Sequence, residues 1–332
     1  MSRRLISELT DGETVEEIYL VADKQIRANR NGNLYLQVEL RDRSGSISAR
    51  LWNANENQIK LMETGDFVQV RGKVQLFQGA LQMILNQIEK INSKEIPYED
   101  FLPHTNWEIN KLLERLRSFL LKVSNVHLRA LGQCYLMDEA FMDGFVKAPA
   151  GIRVHHAYIG GLLEHVVQML EIADRILALY PQIDRDLVIL GIFIHDSGKV
   201  RELTYSKGFS YTDEGQLLGH ITIGLELLEK LLVKVPELTE EPFPLELQLR
   251  LKHLLLSHHG TPEFGSSKVP MTPEAVMVHA IDSLDTRVHI TLTEINEDRM
   301  SQSNWTQYNQ AMERRIFKGF KTIGDSPENQ EY

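Results

Sequence analysis

The sequence predicts a multidomain α+β protein, an N-terminal five-stranded β-barrel followed by an all-α helical domain. Apolar and polar residues alternate between Val15 and Ile91, whereas from Gly160 to Val288 apolar residues recur at spacings of three and four. Between the two patterns lies a stretch holding Pro97 and Pro103, which removes backbone donors and disfavours helix, and so reads as an extended linker at residues 94–106.

Strands are expected around Ile18–Val21, Leu34–Leu40, Ile47–Trp52, Phe67–Gly72 and Leu81–Leu85. Turn formers separate them, with Asn31-Gly32-Asn33 and Arg43-Ser44-Gly45 bounding the second. A short helical pattern near Glu56 to Met62 divides the third strand from the fourth, and five strands so divided suggest an OB-like barrel over residues 1–93. The run Gly65-Asp66-Phe67-Val68-Gln69-Val70-Arg71-Gly72-Lys73-Val74 resembles the fourth strand of many nucleic-acid-binding OB domains. Tyr35, Trp52 and Phe77 are interleaved with Arg50, Arg71 and Lys73, which suits stacking on unpaired bases and contact with phosphates. Aromatic residues in a small barrel equally fill its core.

Beyond the linker, Asn106 can cap a helix carrying Leu112, Leu113, Leu116, Phe119 and Leu120, and residues 107–150 read as connecting helices. The polar end, residues 321–332, reads as a flexible tail. The 332 residues carry a net charge of −10, which argues against a broad basic surface for duplex nucleic acid. That charge is uneven: residues 1 to 95 hold 13 Lys plus Arg against 13 Asp plus Glu, and the remainder 23 against 33, so the first segment is the better anion binder. No stretch has the length and apolarity of a membrane span, no secretory signal core follows Met1, and a cytoplasmic location is expected. Cys134 is the single cysteine, so any metal must be held by nitrogen and oxygen.

Ten of the twelve histidines fall between His155 and His289, a local enrichment that points to metal ligation. In Ile192-Phe193-Ile194-His195-Asp196-Ser197-Gly198-Lys199 an apolar helix ends in two potential ligands, a glycine that permits a turn, and a lysine. His165 lies on an amphipathic helix, His220 precedes another, and His258-His259 ends a third. Taken singly these fit a core, a capping and a helix-end histidine; together with His195 they fit a metal site. Asp282 sits in an otherwise apolar helix, where an unpaired carboxylate is costly and a cation is needed.

In order and context these residues match the ligand pattern of the HD phosphohydrolase superfamily, over roughly Gly151 to Val288 and in the domain assigned to residues 151–290. The resemblance implies two divalent ions, one on His165, His195 and Asp282, the other on His220, His258 and His259, with Asp196 bridging. The order of barrel, proline-containing linker and Val154-His155-His156-Ala157-Tyr158-Ile159-Gly160-Gly161-Leu162-Leu163-Glu164-His165 is similar to the YhaM family of bacterial 3′-to-5′ exoribonucleases, nearly end to end. Trp305 to Tyr308 and Arg314 to Lys318 resemble that family's C-terminal helix, assigned to residues 291–320.

Two such ions acidify a shared water, hold the scissile phosphate and offset charge on the leaving oxygen. The expected reaction is attack by a two-metal-activated hydroxide on the terminal phosphodiester of single-stranded RNA, or of single-stranded DNA, releasing nucleoside 5′-monophosphates. The metal is expected to be Mn2+, with Mg2+, Fe2+ and Zn2+ also compatible. Lys199 is expected to touch a phosphate oxygen, and Arg153, His155 and His156 to face substrate or move protons. Asp285, one turn beyond Asp282, either orients a ligand or pairs with Arg287, and His253, His279 and His289 read as core or surface histidines. Two other functions fit the same residues: an HD-type nucleotide or cyclic-dinucleotide phosphohydrolase, which needs no strand-guiding barrel, and a non-catalytic nucleic-acid-binding adaptor, which needs no intact ligand set. A homo-oligomer is compatible with the sequence.

Overall fold

The computed structural model describes residues 4–28, 34–52, 62–77, 80–91, 101–152, 155–205, 208–298, 303–309 and 312–319. The turn at 31–33, the expected helix from Glu56 (apart from Met62), Arg153 and the tail at 321–332 lie outside them. Strands β1 (Thr14–Ala28), β2 (Leu34–Asp42), β3 (Gly45–Trp52), β4 (Phe67–Phe77) and β5 (Ala80–Lys90) close into a barrel in the order β1-β2-β3-β5-β4. Neighbours are antiparallel except β3 and β5. On β2, Leu36, Val38 and Leu40 turn inward and Tyr35, Gln37 and Glu39 outward, so a slip of one residue would expose the barrel's core.

The helical body contains α1 (Ile109–Leu121), α2 (Val126–Met137), α3 (Glu139–Phe145), α4 (Gly161–Leu177), α5 (Arg185–Ile194), α6 (Lys199–Glu202), α7 (Asp213–Leu232), α8 (Pro236–Thr239), α9 (Leu245–Ser257) and α10 (Pro273–Glu297). Helix α5 is its axis, starting at Asp184, whose side chain accepts the backbone N–H groups of Asp186 and Leu187. Every residue from Leu187 to Ile194 is buried, and each large apolar side chain so placed stabilises by about 1.5–3 kcal/mol. Helices α1, α2, α4, α9 and α10 pack around it. One core runs from Leu112 to Ile281, so the helices between 107 and 150 are walls of this body rather than a connection to it.

Two local expectations are corrected. The N-cap of α1 is Glu108, with no side-chain capping bond, because Thr105 is drawn to Glu164 and accepts the N–H of Trp107, leaving Asn106 outside the helix. Beyond α10, residues 303–309 and 312–319 are not helical: Trp305 bridges Phe317 and Asn309 bridges Arg314 in antiparallel register. A helix would hold Trp305 and Phe317 about three turns apart, whereas the hairpin stacks their rings at 5.0 Å. The described part of the linker is extended but anchored, since Phe101 and Leu102 are buried with Leu20 and Phe67 of the barrel, against Ile159, Tyr205 and Phe209 of the helical body. Ile159 N–H donates to Pro103 O at 2.8 Å and Thr105 N–H to Ile159 O at 2.9 Å.

Backbone contact fixes where α6 meets α7. Helix α7 kinks at Gly219, at φ 71°, and His220 begins its second part. A Cβ on Gly198 would lie 1.9 Å from His220 O and 2.7 Å from Gly224 N. Gly198→Ala should therefore destabilise the protein by about 1–3 kcal/mol in urea denaturation. Gly132→Ala, whose Cβ would meet Leu120 and Leu190 at an ordinary 3.7 Å inside α2, should be neutral or stabilising by up to about 1 kcal/mol, and equal effects would refute the close-contact argument.

Candidate metal centre

Helices α5 and α9 end next to one another, with His195 and His258 as their C-cap residues and ring centroids 5.1 Å apart. A helix end leaves carbonyls without partners. His195 Nδ1 donates to Ile192 O at 2.7 Å and His258 Nδ1 to Leu255 O at 2.8 Å, the same device at both ends. His259 Nδ1 donates to Phe264 O at 2.7 Å, His165 Nδ1 to Asp285 Oδ2 at 2.7 Å, and His220 Nδ1 to Glu202 Oε1 at 3.0 Å. Since each of these acceptors is an oxygen, all five rings carry hydrogen on Nδ1, and Nε2 is the nitrogen left for a cation or a second proton.

The five Nε2 atoms converge on carboxylates and on each other. His165 Nε2 is 3.4 Å from Asp282 Oδ1, and His195 Nε2 is 3.2 Å from Asp196 Oδ2. His220 and His258 Nε2 lie 3.5 and 3.6 Å from Asp196 Oδ1, and the Nε2 atoms of His220 and His259 are 3.2 Å apart. Lone pairs so opposed repel unless a cation or proton stands between them. Nε2 of His165, His195 and His258 and Oδ1 of Asp196 are buried without hydrogen-bond partners. Among the described residues three groups have donor atoms mutually within 4.8 Å: His165, His195 and Asp196; Asp196, His220, His258 and His259, sharing Asp196 with the first; and His156, His165 and Asp285, which lies behind His165. Asp282 joins through His165. This nitrogen and carboxylate set fits divalent cations of borderline or hard character.

The electrostatics agree. Burial opposes charge on His165, yet its bonds to Asp282 and Asp285 raise its pKa to about 9, so the position demands a positive charge. Burial likewise opposes ionisation of Asp196, but the charges of Lys199 and His195 hold its carboxyl well below the usual range. Asp282 is depressed too, the bond from His165 and the charges of His195 and His165 outweighing burial. Burial lowers His258 and His259, favouring neutral rings that can donate to a metal.

The remaining residues sort by contact. Lys199 Nζ lies 2.7 Å from Asp196 Oδ2 and donates to Ala150 O at 2.6 Å. His156 is fully buried: its Nε2 donates to Asp285 Oδ2 at 3.0 Å, its Nδ1 is 2.8 Å from Tyr158 Oη, and its ring stacks on His289 at 3.8 Å. A substrate-facing role for His156 is thereby corrected, because both ring nitrogens are engaged behind His165. His155 is partly exposed, its ring 5.9 Å from that of His165. Asp285 contacts His165 and His156 rather than Arg287 among the described residues. His279 Nδ1 donates to His258 O at 2.7 Å, and His253 Nε2 accepts the N–H of Met271. Glu202 escaped the sequence reading; its position one turn after Lys199 was the available signal.

On the barrel, Tyr35, Arg50, Trp52, Arg71, Lys73 and Phe77 all lie outside the core. Tyr35 and Trp52 are cross-strand partners with ring centroids 4.7 Å apart, and the Arg50 guanidinium lies 5.6 Å over the Phe77 ring. Trp52 and Phe77 are 42% and 45% exposed. Lys73 is exposed, and Arg71 is 3.8 Å from Glu16.

Residues 20–91 match a family model described as an OB-fold nucleic acid binding domain, and residues 162–287 match the HD domain. The chain is 34% identical over 307 residues to the 3′-5′ exoribonuclease YhaM of Bacillus subtilis, covering 92% of this chain and 95% of that protein. Against YhaM of Listeria monocytogenes the identity is 32% over 291 residues, 87% and 90% of the two chains. A replication protein A domain from Methanococcus maripaludis, 26% identical, covers 27% of this chain and 97% of its own at a TM-score of 0.24. With both domains matched in order and the likeness running through more than nine-tenths of the chain, the protein belongs to the YhaM family of 3′-5′ exoribonucleases.

Proposed function

We propose that the protein degrades single-stranded RNA from its 3′ end by hydrolysis at a centre of two divalent cations. The observation that carries this reading is the convergence of five Nε2 atoms around Asp196, three of them buried without hydrogen-bond partners. His165, His195 and Asp282 would hold one ion, His220, His258 and His259 the other, with Asp196 shared. When bound, such a pair, most simply Mn2+, supplies the charge that acidifies water and neutralises the scissile phosphate.

The chain's own groups do the rest. Lys199 spends two N–H bonds on Asp196 and Ala150, which fixes the bridging carboxylate and leaves a third donor for a phosphate oxygen. His155, partly exposed beside His165, and Arg153, which precedes it in the chain, are candidates to meet the substrate's terminal nucleotide. Trp52, Tyr35 and Phe77 offer stacking faces to successive bases, while Arg50, Lys73 and Arg71 offer charge to the backbone. Stacking is indifferent to the sugar, so single-stranded DNA fits the same surface. Water attack at the terminal phosphodiester leaves nucleoside 5′-monophosphates.

Removing divalent ions with a chelator should abolish monophosphate release from end-labelled RNA, and Mn2+ should restore it. Asp196→Ala should lower kcat at least about 100-fold in the presence of Mn2+, and a variant retaining full activity would refute the assigned centre. Trp52→Ala and Phe77→Ala should each raise KM for long single strands roughly 5- to 150-fold, as expected for one lost base stack, and far less for a dinucleotide. Equal KM changes for both substrates would remove the barrel from the binding path.

A further inference from the structure

Three of the five histidines hold their Nδ1–H on backbone carbonyls, whereas His165 and His220 hold theirs on buried carboxylates. The division is one per ion position. We propose that Asp285 and Glu202 are positioning residues that set the affinities of the two ion positions separately, Asp285 through His165 and Glu202 through His220. The proposal rests on the two-ion reading and deepens it.

Asp285 stands one turn beyond Asp282 on α10, and the two clamp a single imidazole from opposite edges. Asp282 Oδ1 faces His165 Nε2 at 3.4 Å while Asp285 Oδ2 receives Nδ1–H at 2.7 Å. The same Asp285 oxygen takes His156 Nε2–H at 3.0 Å, and His156 is held for this at φ 45°, a left-handed conformation that costs a non-glycine residue energy. At 7% exposure, Asp285 would be expensive to bury without these donors.

Glu202 solves a different local problem. The kink at Gly219 breaks the helical ladder, and Glu202 Oε1 accepts the His220 backbone N–H at 2.9 Å together with its Nδ1–H at 3.0 Å. One oxygen thus sets both the backbone and the ring of the ligand. Glu202 shares α6 with Lys199, so the same short helix orients His220 and the Asp196 carboxylate. A carboxylate behind an imidazole fixes its tautomer and makes Nε2 a stronger donor, and loss of such a partner typically weakens metal binding about 10- to 100-fold.

The test is calorimetric titration of the full chain with Mn2+, with bound metal counted after dialysis. The unsubstituted protein should take up two equivalents. Asp285→Asn and Glu202→Gln should each keep one equivalent at its original affinity and hold the other about 10- to 100-fold more weakly, with both weakened in the double variant. Both equivalents weakened alike by either single change, or neither weakened by either, overturns the proposal. In the zinc-loaded unsubstituted protein, ring nitrogen NMR should find His165 and His220 bound through Nε2 with Nδ1–H retained; binding through Nδ1 overturns it even if a variant fails to fold. An unsubstituted protein that takes up fewer than two equivalents overturns the two-ion reading itself, a result separable from uniform affinities at two occupied positions.

Discussion

Helices α5 and α9 both end in the protein interior, where terminal carbonyls have no water to bond and the partial negative charge of each helix end is poorly screened. Ile192 and Leu255 find their partners in the rings of His195 and His258, three residues on. That local solution turns both rings so that Nε2 points away from its own helix and toward Asp196. Two negative helix ends and the carboxylates of Asp196, Asp282, Asp285 and Glu202 share a small volume with the ammonium of Lys199. Burying several like charges costs a few kcal/mol each unless cations answer them. The site is therefore designed around positive charge before any particular ion is considered.

The rest of the body holds this arrangement in place. Apolar α5 cannot shift without exposing residues on every side, and the close approach of Gly198 to His220 O and Gly224 N locks α6 against α7. Rigid scaffolding of this kind keeps donor atoms within the tolerance a metal site needs. The barrel presents groups of another sort, partly exposed rings and cations on an outer surface, the ones proposed above to follow a strand without reading its sequence.

Much of this was legible in the sequence because the relevant physics is local. Alternating burial in Leu34 to Asp42 produced the strand pattern, and the apolar run ending at His195-Asp196 announced a helix delivering ligands to a buried place. What escaped depended on distant partners. Glu202 acts on His220 across the two-residue strands Leu203–Thr204 and Ser210–Tyr211 and the kink at Gly219, none of which has periodicity to read. Residues 303–309 and 312–319 pair through Trp305 and Phe317, a contact invisible to helical spacing. Asn106 is a good cap by composition, but Thr105 is committed to Glu164, and that long-range bond moves the helix start to Ile109. On the barrel, alternation alone could not say which aromatic rings faced out, since the same spacing serves either face until the register closes.

The plug formed by Phe101 and Leu102 has a consequence for how the chain matures. The barrel and the helical body each possess their own core, and the small third cluster between them needs Leu20 and Phe67 from one and Ile159, Tyr205 and Phe209 from the other. During synthesis the barrel strands emerge first, so Leu20 and Phe67 wait uncovered until the linker follows and then until residue 209 has left the ribosome. The nascent barrel is thus a complete fold with an adhesive spot. The cluster between barrel and helical body is therefore completed only by a segment more than a hundred residues downstream of the barrel's last strand.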